Sequence, residues 1–362
     1  MKVPLAKIEI DSSTIEAAVA ALKSGQWLHG PRSVSFEEKF AHFCNTKYAC
    51  SCSSGTTALF LALKSLGIKK GDEVIVPSFS FVASASSISM CDAIPKFVDI
   101  DPINFTIDPK QIEKNITKNT KAIMPVHLFG HPADMDPILE IAKKFSLYVI
   151  EDSAQAHGAK YKEKLVGSIG DISCFSFYPT KNLTVCGDGG MITSQNKKLN
   201  DSVKILRNHG RKEKYVHEVL GYNFKLSEIQ AGIGISRLVK LNKNNLMRRK
   251  IAKIYNSELT DKIKKPVEES WAKHVYHQYS IQTKFRNELK DFLAKKNIST
   301  AVYYPMPIHK QPMYKKFNKQ KLDITEKLSS EILSLPIYPT MKDSEINYVV
   351  TNINKFFQNR KL

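Results

Sequence analysis

A lysine stands just past a strand-like aromatic run and a proline, in Cys174-Phe175-Ser176-Phe177-Tyr178-Pro179-Thr180-Lys181, and ahead of the turn Gly187-Asp188-Gly189-Gly190. Desolvated there, Lys181 would have a lowered pKa and act as an amine nucleophile. Most lysines instead face solvent, so position alone does not single it out. Upstream, Val149-Ile150-Glu151-Asp152-Ser153-Ala154-Gln155 ends an apolar strand in adjacent carboxylates. A carboxylate so placed can bind a metal, act as a base, hold a cationic heterocycle or cap the next segment. Ser53-Ser54-Gly55-Thr56-Thr57-Ala58 opens an apolar helix with free N–H groups, hydroxyl donors and the positive end of the helix dipole. Those are the physical makings of a phosphate site, or of a plain helix cap. No Gly-Lys-Ser/Thr follows, so it is not a Walker loop. In Pro77-Ser78-Phe79-Ser80-Phe81 an aromatic ring follows a strand end, suited to core packing or to stacking on a planar group.

Together the four segments name one cofactor. Pyridoxal phosphate needs a lysine for its aldehyde, an acid for its ring nitrogen, a cradle for its phosphate and a partner for its ring face.

The elements that must position these residues alternate through the first half. Residues 14–23, 35–43, 58–66, 81–90 and 135–144 carry helical periodicity, while 48–51, 73–76, 96–98, 122–126 and 147–150 read as strands. Strands separated by helices predict an α/β fold with a mostly parallel, buried sheet, whose strand ends gather ligands. Residues 172–178 and 190–193 supply two further strands. A long helical pattern from Ser227 to about Tyr255 then carries the chain into a second domain. That domain has a strand at 279–282, helices at 287–296 and 344–357, and proline-rich turns at 304–307 and 335–339. The expected division is 1–244 for the large domain and 245–362 for the small one.

The 362 residues, 42% hydrophobic and 25% charged, describe an ordinary globular chain. No run approaches the roughly 20 apolar residues that span a bilayer, and Met1-Lys2-Val3-Pro4-Leu5 lacks a signal-peptide core. A cytoplasmic protein is expected. Cys44, Cys50, Cys52, Cys91, Cys174 and Cys186 have neither disulfide nor zinc spacing, so buried free thiols and no metal are expected. The net charge of +19 raises a nucleic-acid reading, which predicts steeply salt-dependent binding. The excess is mostly lysine spread along the chain, and no recognition motif accompanies it. The densest run, Lys240 to Lys253 with Arg248 and Arg249, is read as a solvated helical face. A basic surface equally suits a nucleotide-sugar diphosphate.

On these segments the chain resembles the DegT/StrS family of pyridoxal-phosphate-dependent sugar aminotransferases, a branch of the aspartate aminotransferase fold. Further matches are Gly25-Gln26-Trp27-Leu28-His29-Gly30-Pro31, Gly71-Asp72-Glu73-Val74-Ile75-Val76-Pro77, Pro125-Val126-His127-Leu128-Phe129-Gly130, Gly221-Tyr222-Asn223, Tyr304-Pro305-Met306-Pro307-Ile308-His309 and Ser334-Leu335-Pro336. The resemblance implies a large domain with a mostly parallel, seven-stranded sheet (PLP fold type I) and a smaller C-terminal α+β domain. Lys181 would carry the cofactor as a Schiff base and move the proton. Asp152 would pair with the ring nitrogen, Gln155 with the ring hydroxyl, and Phe81 would lie on the ring face. Thr56, Thr57 and Ser176 would hold the phosphate, with Asn223 reaching across a homodimer interface. Tyr304 and His309 would lie near the sugar nucleotide. The implied reaction moves an amino group from L-glutamate to a keto-sugar on UDP, dTDP or GDP, and residues 304–309 lean toward a 3-keto sugar. Relatives with histidine for the lysine are dehydratases, which Lys181 argues against; a cofactor-binding regulatory role stays open. Thr57 departs from the family pattern, where alanine is common.

Overall fold

Val74 and Val76 pack on one side of their strand and Ile75 on the other, as an extended chain buried on both faces requires. The same alternation runs through seven strands: β1 (Tyr48–Cys52), β2 (Glu73–Pro77), β3 (Ile94–Val98), β4 (Thr120–Ile123), β5 (Tyr148–Asp152), β6 (Ile172–Ser176) and β7 (Gly190–Ser194). In this computed structural model, which describes every residue except 317, 318, 320, 359, 361 and 362, they form one sheet. Its order is β1-β7-β6-β5-β4-β2-β3. Only β7 runs against the rest.

After α1 (Ser12–Lys23) and α2 (Pro31–Cys44), one face of the sheet is covered by α3 (Gly55–Ser65) and α4 (Ala83–Ser89), whose Leu59, Leu63, Ala85 and Ile88 share a core with Cys50, Cys52, Cys174 and Ile192. Five of the six cysteines are buried free thiols; Cys186 is exposed. The other face carries α5 (Met135–Phe145) through Met135, Ile138 and Ala142. It also carries an aromatic core in which Phe36 and Phe40 of the helix Pro31–Cys44 meet Phe175 and Phe177. A separate core gathers Ile251, Tyr255, Tyr279, Leu289, Leu333, Val349 and Ile353, and Val3 from the N-terminus joins it. Its framework is the antiparallel pair β8 (Tyr279–Gln282) and β9 (Ile332–Leu335) with the helices Arg286–Lys295 and Asp343–Gln358. Among the described residues no helix is long and apolar enough to cross a membrane.

The expected element bounds differ in several places. The helix expected at 81–90 begins at Ala83, after an extra turn carrying Phe81. The continuous helix expected from Ser227 is two, Glu228–Leu238 and Leu241–Glu258, because the chain turns at Val239 and Lys240 so that Leu238 and Leu241 are both buried. Arg248 does not lie on a solvated face. It is buried, and donates to the carbonyls of Tyr276, His277 and Ile337, while Arg249 pairs with Glu268.

Candidate active site

The sheet gathers the singled-out residues at the C-terminal ends of β5 and β6, on the side covered by α3 and α4. The alternation of β5 separates its two carboxylates. Glu151 turns away from α4 and accepts from the N–H groups of Gly167, Ile169 and Gly170, while its Oε2 lies 3.0 Å from the His127 ring. Burial alone would raise its pKa, but the His127 and backbone hydrogen bonds overcome that and hold it low. Glu151 therefore ties down a turn. Asp152 faces α4 with 4% of its surface exposed. Its Oδ2 accepts from the Ser84 hydroxyl at 2.7 Å and its Oδ1 from the Ala154 N–H at 3.2 Å. Burial pushes its carboxyl up, against the opposing pull of those bonds and of Lys181.

Lys181 follows β6 in a loop pinned on both sides. Phe177 N–H donates to the Gly189 carbonyl and Lys181 N–H to the Tyr178 carbonyl, at 2.8 Å each. Asn182 is buried and donates to Asn245 Oδ1 and the Val275 carbonyl, and Leu183 and Val185 enter the aromatic core. Burial of the Lys181 ammonium pulls its pKa down to about 8, the nearby Asp152 charge resisting. The glycine turn behind it is required sterically: a Cβ on Gly190 would meet the Ser54 carbonyl oxygen at 2.3 Å.

Helix α3 is capped by Ser54, whose hydroxyl accepts from Thr57 N–H at 3.1 Å while Thr57 Oγ1 accepts from Ser54 N–H at 2.9 Å. Thr57 is thus committed to a capping box, which is where the sequence placed a phosphate contact. Among the described residues nothing accepts from the N–H groups of Gly55 and Thr56. A Cβ on Gly55 would stand 2.6 Å from the Ser176 Cβ and 3.1 Å from its Oγ, so only glycine lets the helix start so near the end of β6. Two free amides, a positive helix end and the Ser176 hydroxyl make an anion cradle.

Gln155 accepts from Phe129 N–H at 2.9 Å and donates to the Tyr304 hydroxyl at 3.1 Å. Tyr304 thereby reaches the site from the C-terminal part of the chain. Its ring lies 6.3 Å from that of Phe81, which is 55% exposed and presents a free face. Asn223 is exposed on a short bridge to Asn208. His309 has partners of its own. It is buried, its Nδ1 2.6 Å from Ser78 Oγ and its Nε2 3.3 Å from Glu326, with burial holding its pKa low. Both ring nitrogens are committed to anchoring the segment that carries Tyr304. Ser84 and Ser80, which support Asp152, were not legible in the sequence, since no periodicity marks one serine among the many in residues 78–89.

A lysine and a buried carboxylate close enough to feel each other's charge, beside an anion cradle on this sheet order, are the features of one kind of protein. The family described as DegT/DnrJ/EryC1/StrS aminotransferases matches residues 8–354. The chain belongs to this family. Among curated relatives, a pleiotropic regulatory protein of Geobacillus stearothermophilus is 43% identical, over 93% of this chain and 92% of that one. A dTDP-3-amino-3,6-dideoxy-alpha-D-galactopyranose transaminase of Aneurinibacillus thermoaerophilus is 42% identical over 94% of each. The crystal structure of S. venezuelae DesV in complex with a ketimine intermediate superposes with a TM-score of 0.97 at 38% identity, covering 99% of this chain and 100% of that one. The DegT-family fold, a large sheet flanked by helices, is thereby the fold of this chain.

Proposed function

We propose that this DegT-family protein is a pyridoxal-phosphate-dependent aminotransferase that converts a keto-sugar on a nucleotide diphosphate to an amino-sugar, with L-glutamate as donor. The observation that carries this reading is the electrostatically coupled pair of Lys181 and Asp152, beside the Gly55–Ser176 cradle. When bound, pyridoxal phosphate supplies a carbonyl for the donor nitrogen and a protonated ring that accepts the electrons left when a carbon loses its proton.

The residues divide the remaining work. Lys181, whose pKa near 8 leaves a sizeable neutral fraction at neutral pH, takes the proton from the donor carbon and returns it at the second carbon. Asp152, the buried carboxylate, holds the proton on the ring nitrogen. The N–H groups of Gly55 and Thr56, with the hydroxyls of Thr56 and Ser176, hold the phosphate dianion. Gln155 meets the ring hydroxyl, and the free face of Phe81 stacks on the ring. Asn223, exposed on its own subunit, reaches the phosphate held by a second copy in a homodimer. Tyr304 borders the sugar. The transaminase relative acts on a dTDP-linked 3-amino sugar, which favours carbon 3 for the transfer. The basic balance of the chain suits a diphosphate-bearing substrate. We take the small domain to begin near residue 245, and the enzyme to work in the cytoplasm in polysaccharide precursor synthesis.

The test is an absorbance spectrum of the purified protein with cofactor, before and after L-glutamate, beside Lys181→Ala. Loss of the visible band with formation of 2-oxoglutarate, absent in the variant, supports the reading; a wild-type protein with no visible band refutes it. The name of the Geobacillus relative favours a second reading, a cofactor-binding regulator. Retained cofactor without amino-sugar formation from any of UDP-, dTDP- or GDP-linked 3-keto or 4-keto sugars would select it.

A further inference from the structure

We propose that Ser84 is a positioning residue that keeps Asp152 oriented and ionised, and that Ser80 sets the direction in which Ser84 donates. The inference rests on the reading that Asp152 faces the ring nitrogen of bound pyridoxal phosphate.

Ser84 Oγ lies 2.7 Å from Asp152 Oδ2 and 2.8 Å from Ser80 Oγ. A hydroxyl has one proton to donate, and the carboxylate can only accept. Ser84 therefore donates to Asp152, and Ser80 must donate to Ser84. All three side chains are at least nine-tenths buried, so no water competes for the line. Ala154 N–H fixes the other oxygen at 3.2 Å. One donor on each oxygen sets the plane of the carboxylate and leaves a lone pair on each. The titratable groups that face Asp152 are Lys181 from the loop after β6, His127 from the turn after β4, Cys174 from β6 and Tyr304 from the C-terminal part. Of these only Lys181 and His127 favour the anion, and neither bonds to it within the described residues. The Ser84 hydroxyl is the shortest contact doing so.

The consequence is chemical. A proton between the ring nitrogen and Asp152 can sit on either. A donor to Oδ2 stabilises the carboxylate more than the acid, so it favours the proton on nitrogen, where the ring can accept electrons. Without that donor the proton shifts from nitrogen to carboxyl oxygen, by about tenfold for one charge-assisted hydrogen bond.

The experiment loads the full-length holoenzyme with cofactor labelled with 15N in the ring and reads the ring-nitrogen chemical shift at pH 7, with a thermal melt of each sample. Wild type and Ser84→Thr, which keeps the hydroxyl, should show a protonated ring nitrogen. Ser84→Ala should move the shift toward neutral pyridine, and Ser80→Ala should move it less in the same direction. A Ser84→Ala shift equal to wild type, even with a lowered melting temperature, overturns the proposal, and an unmoved Ser80→Ala overturns its second part. A wild-type ring nitrogen that is itself unprotonated refutes the role of Asp152, a separate and earlier failure. If Ser84→Ala does not fold, Ser84→Cys, whose thiol donates only weakly, takes its place: a shift toward neutral pyridine supports the proposal and a shift equal to wild type overturns it.

Discussion

Capture of pyridoxal phosphate by the apo-protein should follow the ionisation of Lys181, since only a neutral amine attacks an aldehyde. Burial brings this lysine from 10.5 to about 8. At pH 7.5 roughly a quarter of the molecules then carry a neutral Lys181 amine, against about 0.1% for an ordinary lysine, a difference of roughly 200-fold. The capture rate should therefore rise through a midpoint near pH 8 and flatten above pH 9. Stopped-flow absorbance measures it, and borohydride trapping followed by peptide mapping confirms that the modified residue is Lys181 and not a surface lysine. Asp152 opposes the effect of burial by favouring the ammonium. Asp152→Asn removes that opposition, so its midpoint should move below that of wild type. The reasoning is refuted by a rate that climbs without a plateau past pH 10, or by a midpoint that moves up in Asp152→Asn. The sign extends to stability. Between pH 8 and 10.5 the unfolded chain holds a proton on residue 181 that the folded chain lacks, so the apo-protein gains stability across that window.

Gly55→Ala should weaken cofactor binding at least tenfold and cost about 1–3 kcal/mol of stability, because the added methyl overlaps Ser176; fluorescence titration and thermal melts measure the two. Thr57→Ala should cost about 1 kcal/mol of stability through the lost capping box with cofactor affinity nearly unchanged, whereas Thr56→Val should weaken cofactor binding with stability nearly unchanged. Glu228, buried, accepts from the N–H groups of Gly30, Arg32 and Ser33 and from the Ser33 hydroxyl. Burial alone would raise its pKa, but these bonds overcome that and depress it below 4.5, so its contribution is complete above that value and is lost as the pH falls through the folded one. Glu228→Gln should cost about 1–3 kcal/mol near pH 7 and flatten the acid limb of urea-melt stability.

Much of the fold was legible because its strands are continuous apolar runs punctuated by Gly, Pro and hydroxyl residues at their ends. The seven strands of the sheet fall where the runs fall, within a few residues. Elements without such marks escaped. The helix Lys197–Arg207 is polar along most of its length, and its cap, Asn196, is an ordinary loop residue. The break at Val239-Lys240 carries no glycine or proline, and only the need to bury both Leu238 and Leu241 forces the turn. At the site, residue type and strand-end position singled out Lys181 and the Glu151-Asp152 pair. A strand buried on both faces could not reveal which carboxylate turns toward α4. His309 matched a motif near the substrate, but its hydrogen bond to Ser78 closes a separation of 231 residues that no local pattern encodes.

The placement of Asp152 on β5 has a consequence for how the site comes apart. Its amide donates to the Pro125 carbonyl, its carbonyl accepts from His127 N–H, and the next amide, of Ser153, donates to Cys174. Backbone so flanked exchanges its hydrogens only when the whole sheet opens. Lys181 sits instead outside the sheet, in the stretch between β6 and β7, held by loop hydrogen bonds and by the buried residues 182–185 but open to solvent at Cys186, Gly187 and Asp188, so its amide should exchange through a smaller opening than that of Asp152. Mild denaturant should thus free the amine from its post while the carboxylate keeps its own. The first form reached should then be one that retains its anchor and has lost its reactant.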